Sequence, residues 1–238
     1  MAHPAPGRAL SLLGLVLVTA LVLTGCGGGG TRKAATQTPA QVMQAAKKHF
    51  DDASSVHIAL STDSSPSSGN GVLGATGDVT HDPAFEGDVK AFISGLTATV
   101  PITSVGGKVY AKLPLQTKYT VINPSEYGAP DPADFADPTN GLSGLFIKLQ
   151  GLRKKGESRS GGTILTTYSG TLPGAAVKKI IPSAVAAKTY ATSVGVDEKG
   201  YATTVKVTGP FFTGSSDVTY DVKFTGYDQV VKITAPAG

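Results

Sequence analysis

One cysteine, no tryptophan and two methionines occur in 238 residues. A lone cysteine excludes an internal disulfide, so the folded part must be held by its core alone. The four histidines, His3, His49, His57 and His81, fall in no H-E-x-x-H or Cys/His spacing of a metal site. No G-x-G-x-x-G opens a helix after a strand, and there is no P-loop. The G-x-S-x-G elbow of hydrolases is also missing, although Gly141-Leu142-Ser143-Gly144 resembles it superficially. Asp51-Asp52 reads as a solvated helix end, and His81-Asp82-Pro83 as a turn between strands. No catalytic residue and no metal ligand is therefore assigned, and the chain does not read as an enzyme. Strong charge is lacking too. Without its first 25 residues the chain keeps 213, with 20 basic and 17 acidic side chains, a net charge of +3. That is too mild for nucleic-acid binding, and permits a slightly basic face toward anionic lipid.

What is present is one apolar run, Ala9 to Leu23, preceded by Arg8. It is short for a transmembrane helix, which needs about 20 apolar residues, and reads as the central region of a secretory signal. It ends in Leu23-Thr24-Gly25-Cys26, which resembles the lipobox of bacterial lipoproteins. That resemblance implies cleavage before Cys26, diacylglycerol on its thiol and often acylation of the new amine. A thiolate is the nucleophile such an attachment uses, and two acyl chains anchor stably where one is marginal. The alternative is a cleaved signal with a chance cysteine. Residues 1–25 are thus read as signal peptide, 26–37 as lipidated cysteine and flexible Gly-rich linker, and 38–238 as one folded domain. The expected place is the extracytoplasmic face of the cell membrane. No cofactor is expected beyond the diacylglycerol.

Thr38-Pro39-Ala40-Gln41 supplies a capping hydroxyl, a proline at the first helical position and a glutamine three residues after the cap. Val42, Met43, Ala46, Phe50 and Ala53 then recur at helical spacing, so a helix should run to about Asp52. From Val56 the period becomes two. Strands are expected through Val56–Leu60, Leu73–Val79, Phe85–Ile93, Leu96–Ile102 and Val105–Leu113, joined by connections too short for parallel crossovers. Asn123 to Asn140, with four prolines and four acids, reads as a stiff loop holding one short helical turn. Gly141 to Leu149 reads as a short helix, apolar nearly all round, and Gly174 to Ile181 as another. Further strands are expected through Ile164–Tyr168, Tyr190–Val196, Tyr201–Val207, Val218–Phe224 and Val231–Ile233. The fold class expected is α+β: a single curved antiparallel sheet, or half-barrel, with a few helices on its concave face.

Gly and Ala occupy many positions on the apolar faces of the early strands, where a well-packed core alternates large and small residues. Either these positions simply pack together, or they line an apolar ligand cavity between sheet and helices. The candidate lining is Val89, Ala91, Val109 and Ala111 from the sheet with Leu142, Leu145, Phe146 and Leu149 from the middle helix. Asn123 to Asn140 is either a lid or an ordinary surface loop. Arg153, Lys154, Lys155 and Arg159 form either a solvated turn or, for the first three, candidate contacts to an anionic head group.

Several stretches together carry a resemblance. Ser55-Val56-His57-Ile58-Ala59-Leu60 is similar to a Ser-x-His-hydrophobic strand. Asp137-Pro138-Thr139-Asn140-Gly141-Leu142-Ser143-Gly144-Leu145 is similar to an Asp-Pro-x-x-Gly-Leu-Ala-Asn-Leu element. With the lipobox, the Gly-rich linker and Val230–Pro236, they resemble the LppX/LprA/LprF/LprG family of actinobacterial cell-envelope lipoproteins. The resemblance implies a half-barrel enclosing a large apolar cavity, and carriage of multiply acylated lipids or glycolipids toward the outer envelope. Its implied partners are such a lipid, the membrane through the anchor, and an envelope lipid transporter. The expected function is therefore a membrane-anchored lipid carrier. Its rivals are a scaffold or sensor-partner lipoprotein with a packed core and, more distantly, a lipid hydrolase needing a Ser–His pair that the sequence does not announce.

Overall fold

The computed structural model describes residues 37–66, 70–93, 95–160, 162–212 and 216–237. The expected signal, Cys26 and the linker as far as residue 36 lie outside the described residues. Thr38 starts the first helix, α1 (Pro39–Asp52), as its sequence dictates. Its hydroxyl accepts from the Gln41 amide at 3.3 Å while its own amide donates to Gln41 Oε1 at 2.8 Å. Both orphan donors are satisfied, which is worth about 1 kcal/mol. Met43, Ala46 and Phe50 form the buried stripe, and Lys47–Asp51 and Lys48–Asp52 pair along the helix.

Eleven strands follow. They are β1 (Ser55–Thr62), β2 (Gly71–Thr80), β3 (Ala84–Ile93), β4 (Leu96–Val105), β5 (Lys108–Ala111), β6 (Thr120–Ile122), β7 (Gln150–Ser160), β8 (Thr163–Pro173), β9 (Thr189–Asp197), β10 (Ala202–Gly209) and β11 (Val218–Thr225). All pairings are antiparallel, in one sheet of order β6-β5-β4-β3-β2-β1-β11-β10-β9-β8-β7. Two sequential meanders are joined where β1 meets β11, with Ile58 opposite Phe224 and Leu60 opposite Val222. The sheet is not closed, because β6 and β7 are its two edges. Alternation decides the faces: Val56, Ile58, Val79, Phe85, Val194, Val205, Val222 and Phe224 turn to the core, while His57, Glu86, Asp88, Lys206 and Lys223 turn away. Gly77 and Gly87 face each other across β2 and β3. A Cβ on either would stand 2.3 or 2.1 Å from a carbonyl oxygen of the neighbouring strand, so only glycine permits this close approach.

The chain between β6 and β7 must cross from one edge to the other, and it does so over the core face. It contains three 3-10 helices: Pro124–Tyr127, Pro132–Ala136 and Ser143–Lys148. The second packs on β2, β3 and β4, and the third on α1 and β8. The segment thus holds two helical turns before Asn140 where one was expected. The helix expected over 141–149 is 3-10, and it leaves Ile147 52% exposed rather than covered. The helix expected over 174–181 is a single α turn, α2 (Gly174–Val177), followed by looser turns.

Two strand expectations are corrected. Arg153 to Arg159 is not a solvated turn but most of β7, an 11-residue edge strand. Its outward positions carry no apolar alternation because an edge wet on both sides needs none. Val231 and Ile233 join no ladder. The tail is instead tied beside β1: Ser55 Oγ donates to the Gln229 carbonyl at 2.7 Å, and Asp228 accepts from the Ser54 amide at 2.9 Å. Val231 and Ile233, both half-buried, then border a groove with Ala84 and Val105 at the hairpin ends.

Candidate functional site

At the β6 side of the sheet, β2 to β5 form the floor of an apolar pocket. Val89, Ala91, Val100, Ile102 and Val109 make the floor, Ile93 and Leu113 line its end beside the β3–β4 turn and the β5–β6 connection, and Ile122, Pro124, Tyr127, Ala129, Pro130 and Pro132 cover it. No charged side chain lines it. Val72 joins this wall because β2 carries a bulge between Val72 and Gly74, and an extra residue in one strand reverses the facing beyond it. At that bulge the Val72 carbonyl accepts from the hydroxyl of the buried Tyr220 at 2.6 Å. Burial in these apolar surroundings pushes the Tyr220 hydroxyl above its ordinary pKa.

The pocket holds about 60 Å³. A cavity of about 150 Å³ is what benzene needs, and small-molecule sites run to roughly 300–1,000 Å³. In this conformation the pocket admits no acyl chain; more room requires its cover to rise.

That cover has two unlike halves. Pro124 to Pro130 is only half-buried or exposed along its length. It is shaped by local bonds, with Asn123 Oδ1 accepting from the Ser125 amide at 3.2 Å and Gly128 in the left-handed region at φ 72°. The half from Asp131 onward is fixed. Asp131 Oδ1 accepts from the buried Ser104 hydroxyl at 2.5 Å and from the Ala133 amide at 2.9 Å, and Pro132, Ala133, Phe135 and Ala136 are buried. Beyond it Asp137 accepts from the amides of Thr139 and Asn140 at 2.9 and 2.6 Å. Those two amide bonds hold its carboxyl below the usual carboxylate range, with help from Lys148 and Lys179. Asp134 shifts the other way, raised by burial and by Asp131 and Asp137.

The same geometry explains the Asp137–Leu145 element. The Gly141 amide donates to the Asp137 carbonyl at 2.8 Å. A Cβ on Gly141 would lie 2.5 Å from the carbonyls of Asp137 and Phe135, and one on Gly144 would lie 2.4 Å from that of Thr139. The chain coils too tightly there for a side chain. Ser143, fully buried, donates to Asp51 of α1 at 2.5 Å.

The candidate lining residues are divided between two places. Val89, Ala91 and Val109 border the pocket. Ala111, Leu142, Leu145 and Phe146 are buried in the packed core and Leu149 packs against it, Phe146 edge-on to Phe224 at 6.2 Å. The pocket residues the sequence reading omitted are Ile93, Val100, Ile102, Leu113, Val72, Ile122 and the proline-rich cover. The alternation of β3 and β4 marked the first three as inward-facing; nothing local marked the cover as their partner. Arg153, Lys154 and Lys155 lie on β7, the edge opposite the pocket. Arg153 and Lys155 border a polar groove with Ser169, Ser193 and Lys206 on the outward face, and Lys154 pairs with Glu157 at 2.6 Å. The basic cluster therefore lies on the other edge strand and lines no part of the apolar pocket.

The outward face also carries one arrangement with the hydrogen-bond order of an acyl-transfer triad. His57 Nδ1 is 2.7 Å from Asp78 Oδ1, and Thr76 Oγ1 is 3.4 Å from His57 Nε2. These are cross-strand neighbours on β1 and β2, with Thr76 exposed on the face of the sheet opposite the apolar pocket. The Ser-x-His pattern is thus structural: Ser55 ties the tail, and His57 ties β1 to β2. Among the described residues no three His, Cys, Asp or Glu side chains gather as a metal site. Among them, too, no helix is long and apolar enough to cross a membrane.

The comparisons agree with this architecture. Comparison with curated protein sequences finds no match. The crystal structure of LprF from Mycobacterium bovis is 18% identical, with a TM-score of 0.71 over 84% of this chain and 97% of that one. That of lipoprotein LppX from Mycobacterium tuberculosis is 17% identical, with a TM-score of 0.60 over 82% of this chain and 98% of that one. At such identities the likeness establishes the fold: a large open antiparallel sheet with few helices. Residues 38–234 match the family described as LppX_LprAFG lipoprotein. With nearly the whole described chain covered by that match, the protein belongs to the LppX_LprAFG lipoprotein family.

Proposed function

We propose that this protein is a membrane-anchored carrier that takes the acyl chains of an envelope lipid or glycolipid between β2–β5 and the Pro124–Pro130 flap, and moves them across the cell envelope. The observation that carries the reading is a pocket lined almost wholly by apolar side chains beneath a cover that β6 and the Asp131 anchor hold at its two ends and that is only half-buried or exposed between them. Raising the flap would join the pocket to the rest of the β3–β5 floor, and each methylene then sheltered is worth about 0.8 kcal/mol. Leaving the bilayer costs the lipid a similar amount, so loading and release stay near balance, as carriage requires. Cys26 is the proposed attachment point, with diacylglycerol on its thiol. A linker over 26–37 has a root-mean-square span of roughly 20 Å, enough to keep the domain working at the membrane surface. An envelope lipid transporter is the proposed partner that supplies or receives the cargo.

The small volume of the pocket favours a second reading, a scaffold or partner lipoprotein whose core is simply packed. Native mass spectrometry of the chain from Thr31 onward, purified from its own kind of host, separates the two. A discrete added mass that becomes an acylated lipid on denaturation is expected for the carrier. An empty protein that stays empty when offered host lipid extract would refute it.

A further inference from the structure

We infer that the end of the sheet formed by the β3–β4 turn and the β5–β6 connection docks on an anionic phospholipid surface, with the adjoining end of the apolar pocket facing the bilayer. The purpose of this docking and the transfer assay below rest on the carrier reading; the fluorescence-quenching test does not.

Two leucines project from this end. Leu96 is 74% exposed and Leu115 is 105% exposed. Each adjoins a residue that lines the pocket: Leu96 pairs with Ile93 at the tip of the β3–β4 hairpin, and Leu115 follows Leu113 by two residues. The two ends run side by side, because the Lys112 amide continues the ladder to the Pro101 carbonyl at 3.0 Å.

Leu115 is placed against ordinary preference. Leu113-Pro114-Leu115-Gln116 closes a turn, with the Gln116 amide donating to the Leu113 carbonyl at 3.0 Å and Leu115 at φ 69°. Proline at the second position and a positive φ at the third define a type II turn, whose third position normally takes glycine or asparagine. A leucine there bears backbone strain and, in water, gains no burial to offset it. An apolar phase beside the turn supplies that burial.

Charge identifies the phase. Between Asp88 and Glu126 the chain contains no acidic residue, and of its four lysines Lys90, Lys112 and Lys118 lie on the strand and connection leading to this end, while Lys108 stands at the β4–β5 turn at the other end. Lys112 and Lys118 flank the leucine turn and are exposed, in a chain whose acidic residues otherwise nearly balance its basic ones. Protruding aliphatic tips between lysines suit an interface of anionic head groups over acyl chains. With that end of the pocket at that depth, an acyl chain would pass from bilayer to β3–β5 floor without crossing water.

The absence of tryptophan makes the test direct. The full lipidated chain carrying Leu115→Trp is reconstituted in vesicles of anionic phospholipid, with and without bromine on the acyl chains. Emission shifted to the blue and quenched by bromine is expected. Lys199→Trp, on the β9–β10 turn at the other end of the strands, should keep water-like emission without quenching. No quenching at position 115, or equal quenching at both positions, overturns the inference. Leu96→Asp combined with Leu115→Asp should slow lipid transfer between vesicles roughly tenfold or more, the effect of withdrawing one buried leucine or two, at unchanged lipid content; an unchanged rate overturns it too. Lipid content of the parent chain judges the carrier reading separately.

Discussion

Replacing Ala91 or Ala111 by tryptophan distinguishes a pocket wall from a packed core. Both residues are small, and they are 8% and 0% exposed respectively. Only Ala91 borders the pocket; Ala111 sits between Ile102 and Thr120 in the ladder and belongs to the core cluster. The pocket's 60 Å³ is well under the roughly 150 Å³ of a cavity that holds benzene, less than an indole needs. In Ala91→Trp the ring fills that space and pushes the Pro124–Pro130 flap outward, the direction in which the protein yields. In Ala111→Trp the ring meets close-packed neighbours, and overpacking of this kind costs about 1–3 kcal/mol or more. For a domain of this size each kcal/mol lowers the melting temperature by roughly 2–4 °C. Ala111→Trp should therefore melt several degrees below the parent, and Ala91→Trp close to it. Hydrogen exchange should show the flap amides of Ala91→Trp, such as that of Gly128, opening faster, and lipid uptake should fall. Equal melting losses in the two variants, with unchanged exchange over the flap, would refute the reasoning.

Ser104→Ala removes the hydroxyl that pins Asp131 at 2.5 Å. A hydrogen bond to a charged group is worth about 1.5–3 kcal/mol, so hydrogen exchange over 124–136 should rise about tenfold or more with little change at β9–β11. Gly144→Ala places a methyl 2.4 Å from the Thr139 carbonyl; a loss of about 2–3 kcal/mol in denaturant unfolding is expected, whereas a neutral result would mean that the coil can relax. Tyr220, buried, and Tyr227, half-buried, donate to the carbonyls of Val72 and Ala202 at 2.6 and 2.7 Å, and burial raises both hydroxyls above their ordinary pKa. The folded state thus keeps protons that the unfolded chain releases near pH 10. Stability should be intact below that pH and decline as pH rises beyond it, less steeply in Tyr227→Phe; equal slopes would exclude Tyr227 as a contributor.

What local chemistry dictates was legible along the chain. The Thr38 cap, the amphipathic stripe of α1 and the alternation of β1 to β4 and β9 to β11 each involve neighbours a few residues apart, so their signals sit together in the sequence. The Asp137–Leu145 element was legible as a pattern, but its reason was not. Gly141 and Gly144 are required by carbonyls that only the folded coil brings to them. β7 was missed because its side chains answer to solvent at an edge. Val231 and Ile233 misled because their alternation borders a groove at the hairpin ends instead of entering a ladder.

The sequence by itself determined that the domain is a run of antiparallel strands capped by an N-terminal helix, with a proline-rich connection in the middle. Tertiary structure alone decided that β1 pairs with β11, making one open sheet of two meanders. It also decided that residues 123–149 span its face from edge to edge. The pocket follows from that second choice, since its floor comes from 72–113 and its cover from 122–132. It explains, too, why Arg153, Lys154 and Lys155 ended on the other edge strand. Side-chain period tells a strand which face to bury, but carries no information about which distant segment will cover that face.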